Sequence, residues 1–222
     1  MVNSVLPYTT TSHPNAQRLA VTLLVAAVLV ILWSGWSPVD RGDWLLENGL
    51  VALAVTILVY GYRQLRFSSM SYVALFVFLC LHEVGAHYTY SQVPFAHWIE
   101  RVMPPGWVRI IDPARNDYDR AVHFAYGFLV LPAAVELFAR RAPPQGLWRW
   151  ILPVTFVMAH STIYELVEWA AAAVFGGDLG QMYLGTQGDE WDAQKDMFMA
   201  TVGSVVAMIL LAALRRRSRA ME

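Results

Sequence analysis

Residues 119–138 read DRAVHFAYGFLVLPAAVELF. A helix of about 20 mostly apolar residues is what a bilayer core about 30 Å thick requires. Yet this stretch carries Asp119, Arg120 and His123 at one end and Glu136 near the other. A membrane helix keeps such groups only where they face each other, water, an ion or a substrate. The stretch therefore reads as a transmembrane helix that contributes to a polar site.

Working outward, five more segments reach spanning length. They are about 19–36, 44–62, 69–90, 147–175 and 192–214, which with 119–138 make six. The composition agrees: 57% of the 222 residues are hydrophobic and only 15% are charged, against about 25% charged in soluble proteins. Nine Trp, ten Tyr and ten Phe suit interfacial aromatic belts. The net charge of −1 gives no basic field for nucleic acid, and one cysteine, Cys80, allows neither an intrachain disulfide nor a Cys-based zinc site. The first segment is read as a span, not a signal peptide: its positive flank is Arg18 alone, and no small-residue cleavage site follows it.

Lys and Arg in the loops set the orientation. One side collects Arg18, Arg63, Arg66, Arg140, Arg141, Arg149, Arg215, Arg216, Arg217 and Arg219; the other has Arg41, Arg101, Arg109, Arg115, Arg120 and Lys195 among many acids. This bias predicts both termini in the cytoplasm. The expected organisation is a flexible cytoplasmic tail over 1–17, one all-α six-helix transmembrane domain over 18–214, and a basic cytoplasmic tail over 215–222. In the outer connection 91–118, Phe95, Trp98, Ile99 and Val102 recur at helical spacing, which predicts a short interfacial helix. Residues 176–191 read as an outer loop rich in Gly and acids.

Threaded this way, the ionisable residues fall at one depth, near the outer face. Glu83 and His87 end the third span, Asp119 and His123 begin the fourth, Glu165 and Glu168 lie in the outer half of the fifth, and Asp192 and Asp196 begin the sixth. Three of these pairs are spaced i,i+4 and one i,i+3, so each pair projects from one helix face. Helical bundles build metal sites from inward-facing carboxylate and imidazole pairs of this kind. Ligands of this type suit Zn, Mn or Fe, as one ion or two. The expected metal ligands are His87, His123, Glu83, Asp119, Asp192 and Asp196. Glu168, Glu165 and His160 are the candidate catalytic acids and bases. His82 and Tyr164 would support the ligands, and Arg115, Arg120 and Lys195 would receive an anionic head group. Glu47 reads as an interfacial residue or a peripheral partner of the site, and Glu136 as a partner of Arg140 at i,i+4.

The segment His82-Glu83-Val84-Gly85-Ala86-His87 is one residue longer than the zinc-protease H-E-x-x-H motif. Two His five apart stand about 140° round a regular helix, so the protease reading fails.

Four segments resemble the YjdF-type family of bacterial inner-membrane proteins, a domain of unassigned function. They are LHEVGAHYTY from Leu81, RNDYDRAVHF from Arg115, YELVEW from Tyr164 and LGTQGDEWDAQKDM from Leu184. The resemblance implies a multi-pass protein of the bacterial inner membrane and names no reaction. A looser likeness reaches the VanZ-like membrane proteins: Asp119, His123, Glu165, Asp196 and Gly203 match their pattern in order, while Ala200 stands where that group has Asn.

The residues point first to a metal-dependent membrane enzyme, hydrolase-like, acting on a lipid or lipid-linked envelope substrate. Two alternatives use the same residues: a cation or proton transporter or channel, and a structural membrane protein whose polar cluster locks the bundle. The oligomeric state stays open. The run Ala170 to Ala173 permits close helix packing within or between chains.

Overall fold

The computed structural model describes residues 14–102 and 115–220. Among these, every regular element is a helix: α1 (Pro14–Ser34), α2 (Arg41–Leu65), α3 (Ser69–His87), α4 (Phe95–Val102), α5 (Tyr118–Arg141), α6 (Trp148–Phe175), α7 (Gly177–Leu184) and α8 (Asp192–Ala220). Six of them (α1, α2, α3, α5, α6 and α8) are long and apolar enough to cross a membrane. The start of α1 and the end of α8 lie at one end of the bundle. The polar ends of α3, α5, α6 and α8 lie at the opposite end of the bundle.

The core is the α5–α8 crossing, the most extensive helix pairing among the described residues. Two glycines permit it. A Cβ on Gly127 would stand 1.9 Å from the Ala200 carbonyl oxygen, and one on Gly203 would stand 2.1 Å from that of Phe124. The two backbones touch there, as small residues allow in membrane helix pairs. Towards the termini, Leu131, Val135, Val157, Ala207, Met208 and Leu211 close the gap among α5, α6 and α8. Half of the α5 span is buried, whereas α1 and α2 turn almost their whole length outward. Their exposed Val21, Leu29, Leu32, Leu53 and Ile57 suit a hydrocarbon surroundings.

Glu136 ties the terminus end together. Its carboxylate accepts from the Ser68 amide at 2.7 Å, the Ser68 hydroxyl at 2.6 Å, the Ser71 hydroxyl at 2.7 Å and Arg140 at 3.2 Å. The i,i+4 pair with Arg140 is therefore present. In addition, Glu136 anchors the N-terminus of α3, where Ser68 caps the helix by accepting from the Ser71 amide.

α4 forms at Phe95–Val102, where the spacing of apolar residues predicted a short helix. The larger differences from the sequence reading fall at the two ends and in the last outer connection. α1 begins at Pro14, so part of the expected tail is helical; residues 1–13 lie outside the described residues, as does Arg109. α8 continues to Ala220, so the basic segment extends a helix. The supposed Gly-rich loop contains α7, because Gly180 nests against the α6 alanine run. A Cβ there would lie 2.9 Å from the Ala172 carbonyl oxygen. Packing outweighs the poor helix propensity of glycine at that point.

Candidate functional site

Two segments frame the site above α5. Asn116 donates to the Ser91 carbonyl at 3.0 Å and to the Val93 carbonyl at 2.6 Å. Its backbone exchanges hydrogen bonds with the Gln187 side chain at 2.9 and 3.0 Å. These bonds lay the 184–191 segment over the start of α5, and Gly185, at φ 59°, brings backbone close to the Asp119 carboxylate.

Arg115, Arg120 and Lys195 hold this cover in place. Arg115 donates to the Thr186 carbonyl at 2.7 Å and pairs with Asp192. Arg120 pairs with Asp117 at 3.1 Å and Asp189 at 2.5 Å, and Lys195 reaches the same Asp189 at 2.6 Å. These cations, expected to receive a head group, are paired here with Asp117, Asp189 and Asp192. The hydrogen bond from Lys195, foremost, with the Trp191 amide and the charge of Arg120, holds Asp189 down to about 2.

Beneath the cover lies the main cluster. Asp119, His123 and Asp196 each place one ligand-capable atom within 4.8 Å of the others. His123 Nε2 is 3.5 Å from Asp119 Oδ1 and 3.6 Å from Glu165 Oε1. Two atoms bound tetrahedrally to one ion at about 2.1 Å stand about 3.4 Å apart, so the His123–Asp119 spacing suits a shared ion, and Glu165 stands beside it. Glu165 Oε1 and Asp196 Oδ1 are buried and have no hydrogen-bond partner among the described residues. Buried polar atoms are ordinarily paired, so these two mark the place where a ligand would complete the site. The α5–α8 crossing positions the cluster, because close approach of the two backbones brings the first turns of both helices together.

Deeper in, Tyr164 presents its ring edge to His123 and donates to Glu47 Oε2 at 3.0 Å. Glu168 lies against the same hydroxyl and against Glu165. His82 Nδ1 meets the Tyr90 hydroxyl at 2.7 Å, and its Nε2 is 3.9 Å from Glu47 Oε2. A tight turn makes the Tyr90 contact possible. Thr89 and Tyr90 adopt φ 55° and 49°, and the Tyr90 ring folds back onto Gly85, where a Cβ would come within 2.5 Å of it. Burial, reinforced by the charges of Glu47 and Asp119, pushes the Tyr90 phenol well up, so it stays protonated.

The sequence-derived set is thus divided. Asp119, His123, Asp196, Glu165, Glu168, Tyr164 and His82 gather in this region, and Asp192 borders it, committed to Arg115. Glu83 and His87 face elsewhere. Glu83 accepts from the Ser34 hydroxyl, and His87 donates to the Ser34 carbonyl at 2.8 Å and stacks on Trp33. Together with Trp44 of α2, which donates to the same Ser34 hydroxyl at 3.0 Å, they bind the end of α1 to α2 and α3. Expected among the metal ligands, Glu83 and His87 lie outside the Asp119–His123–Asp196 group. His82 and His87 do diverge, as their five-residue spacing requires. His160 also stands apart: it is exposed, its Nδ1 meets the Phe156 carbonyl at 3.0 Å, and its ring packs on Phe156.

Two acids gain importance. Glu47 is buried in the site rather than interfacial, and Asp43, one helical turn earlier, is 1% exposed with neither carboxylate oxygen paired. Asp43 and Glu47 form an i,i+4 pair, the same signal that marks the other helices.

A helical membrane bundle with a buried His/carboxylate cluster at one end defines the class: a multi-pass membrane protein. The family described as "Predicted membrane protein (DUF2238)" matches residues 19–217. The "Inner membrane protein YjdF" of Escherichia coli (strain K12) is 32% identical over 192 residues, covering 86% of this chain and 88% of the relative. The chain belongs to this family, and it is a multi-pass inner-membrane protein. No solved structure matches it. The VanZ-like likeness rests on motif order alone.

Proposed function

We propose that the chain is a metal-dependent membrane hydrolase, with Asp119, His123 and Asp196 as ligands of a divalent ion, Zn, Mn or Fe. One observation carries this reading: three ligand atoms converge within 4.8 Å beside two buried carboxylate oxygens that lack partners. Three protein ligands leave a fourth position for water, as catalytic sites do. An ion held by these residues would lower the pKa of a bound water to near 7.

Glu165 stands next to His123 and serves as general base. It takes the proton of the attacking water as the water oxygen bonds to the acyl or phosphoryl centre of an ester. The bond to the alcohol leaving group breaks, and Glu165 returns the proton to that oxygen. Glu168, packed behind Glu165, holds it in place and shares its proton. The substrate class follows from location: a lipid or lipid-linked envelope component entering from the outer leaflet, on the loop-charge orientation with both termini cytoplasmic. Glu136, which a transport path would need at the terminus end, has its oxygens filled by Ser68, Ser71 and Arg140, which favours hydrolysis over conduction.

Elemental analysis of detergent-purified protein tests this reading. Wild type should carry at least one equivalent of divalent metal after loading. His123→Ala and Asp196→Asn should each carry one fewer, and Glu165→Gln should keep its metal. A metal-free wild type would overturn the reading, and metal retained equally by His123→Ala and Asp196→Asn would overturn the ligand assignment.

A further inference from the structure

Beside the Asp119–His123–Asp196 cluster, the His82–Glu47 pair has the features of a metal-binding pair in its own right. His82 is 6% exposed and Glu47 3%. His82 Nε2 is buried with no hydrogen-bond partner and points towards Glu47, while its Nδ1 is held by the Tyr90 hydroxyl. A ligating imidazole is ordinarily fixed in this way, with one nitrogen tied to a hydrogen-bonding group and the other left for the metal. In the tautomer whose Nδ1–H donates to the Tyr90 hydroxyl, the Nε2 lone pair faces Glu47.

Glu47 is fixed in a corresponding manner: Tyr164 donates to Oε2 at 3.0 Å. Nε2 and Oε2 are 3.9 Å apart. Bonds of about 2.1 Å to each span that gap only at an angle wider than tetrahedral, so an ion would draw the two groups slightly together. Glu168, against the same Tyr164 hydroxyl, and Asp43, unpaired at both oxygens one turn away on α2, supply negative charge. Among the described residues no Lys or Arg pairs with Asp43, Glu47 or Glu168. The covering cations are taken up by Asp117, Asp189 and Asp192. The pair therefore combines an oriented imidazole, an oriented carboxylate and uncompensated buried acids, a combination that a divalent cation resolves.

We propose that His82 and Glu47 hold a second divalent cation, making the site a two-metal centre. This deepens the hydrolase reading and draws α2 into the chemistry. In two-metal sites one ion activates the attacking oxygen and the other stabilises the leaving oxygen. Tyr164 is then a positioning residue for both halves, touching His123 with its ring and Glu47 with its hydroxyl.

Metal counting on detergent-purified, full-length protein loaded with Mn2+ and desalted tests this. Wild type should retain two equivalents. Glu47→Gln and His82→Gln should each retain one, and His123→Ala should lose a different one, so that His82→Gln/His123→Ala retains none. Tyr164→Phe keeps every proposed ligand and should weaken the second equivalent about 10- to 100-fold. It carries the test if either ligand variant fails to elute as a single folded species. One equivalent in wild type, lost on His123→Ala but kept by Glu47→Gln and Tyr164→Phe, would overturn the second site and leave the first standing. Two equivalents in Glu47→Gln and His82→Gln would overturn the assignment to this pair. No metal in wild type would overturn both readings.

Discussion

Glu136 and Asp196 are both carboxylates buried in the α5–α8 half of the bundle, at opposite ends. Glu136 is 0% exposed and accepts four hydrogen bonds, one from a helix-capping serine amide and one from an arginine. Asp196 is 2% exposed, has an oxygen with no partner, and sits among Asp119, Glu165 and Asp192. The first arrangement is complete without anything added. The second repels itself until a cation or protons arrive. Burial alone does not separate structural from functional acids in a membrane bundle; the count of satisfied partners does.

The sharpest way to break this comparison is to truncate both ends. Glu136→Ala should cost about 1–3 kcal/mol, the typical penalty for leaving buried donors such as Ser71 unpaired, with metal content unchanged. Thermal unfolding in detergent reads the first quantity and elemental analysis the second. Asp196→Asn should do the reverse. Metal affinity should fall more than about 100-fold, beyond what loss of a supporting group costs, while the metal-free protein unfolds no earlier than metal-free wild type. A metal-free Asp196→Asn as unstable as Glu136→Ala would erase the distinction.

The crossing that links the two ends gives a third test. Gly127→Ala forces a methyl group against the Ala200 carbonyl and should cost about 1–3 kcal/mol by overpacking. Because it pushes α5 from α8, it should also loosen the metal, so both measurements move together.

The smallest effect belongs to the cover. Asp189 lies at about 2 when folded, below the ordinary unfolded value of about 3.9. Its stabilising contribution is therefore full above about pH 4 and lost as pH falls towards 2. Carbon-13 NMR of the Asp189 carboxyl should show no titration between about pH 4 and 7, and Lys195→Ala should move the midpoint upward.

Much of this architecture could be read from the chain, for identifiable reasons. Hydropathy locates the spans, because each must bury its own backbone and match the bilayer. Helical spacing pairs Asp119 with His123 and Glu165 with Glu168, because that geometry is local. What spacing cannot tell is which neighbour a helix face meets. Glu83 and His87 carry the same i,i+4 signature, but their face of α3 packs on Ser34 and Trp33 of α1, and they become a tether. His160 lies at the right depth on the wrong side of α6. Asp43 and Glu47 had the spacing all along, yet their value depends on Tyr164 and His82 approaching from α6 and α3, which only the fold supplies. Likewise Arg115, Arg120 and Lys195 look like an entrance ring until the 184–191 segment folds over and uses them.

The most direct measurement is the position of bound metal. Crystals grown in lipid and loaded with Zn2+ or Mn2+ should give an anomalous difference peak about 2.0–2.2 Å from His123 Nε2 and within bonding reach of Asp119 and Asp196. A well-ordered structure of the loaded protein with no peak there, or with Asp119 and Asp196 paired only to protein groups, would contradict a metal centre at this end of the bundle.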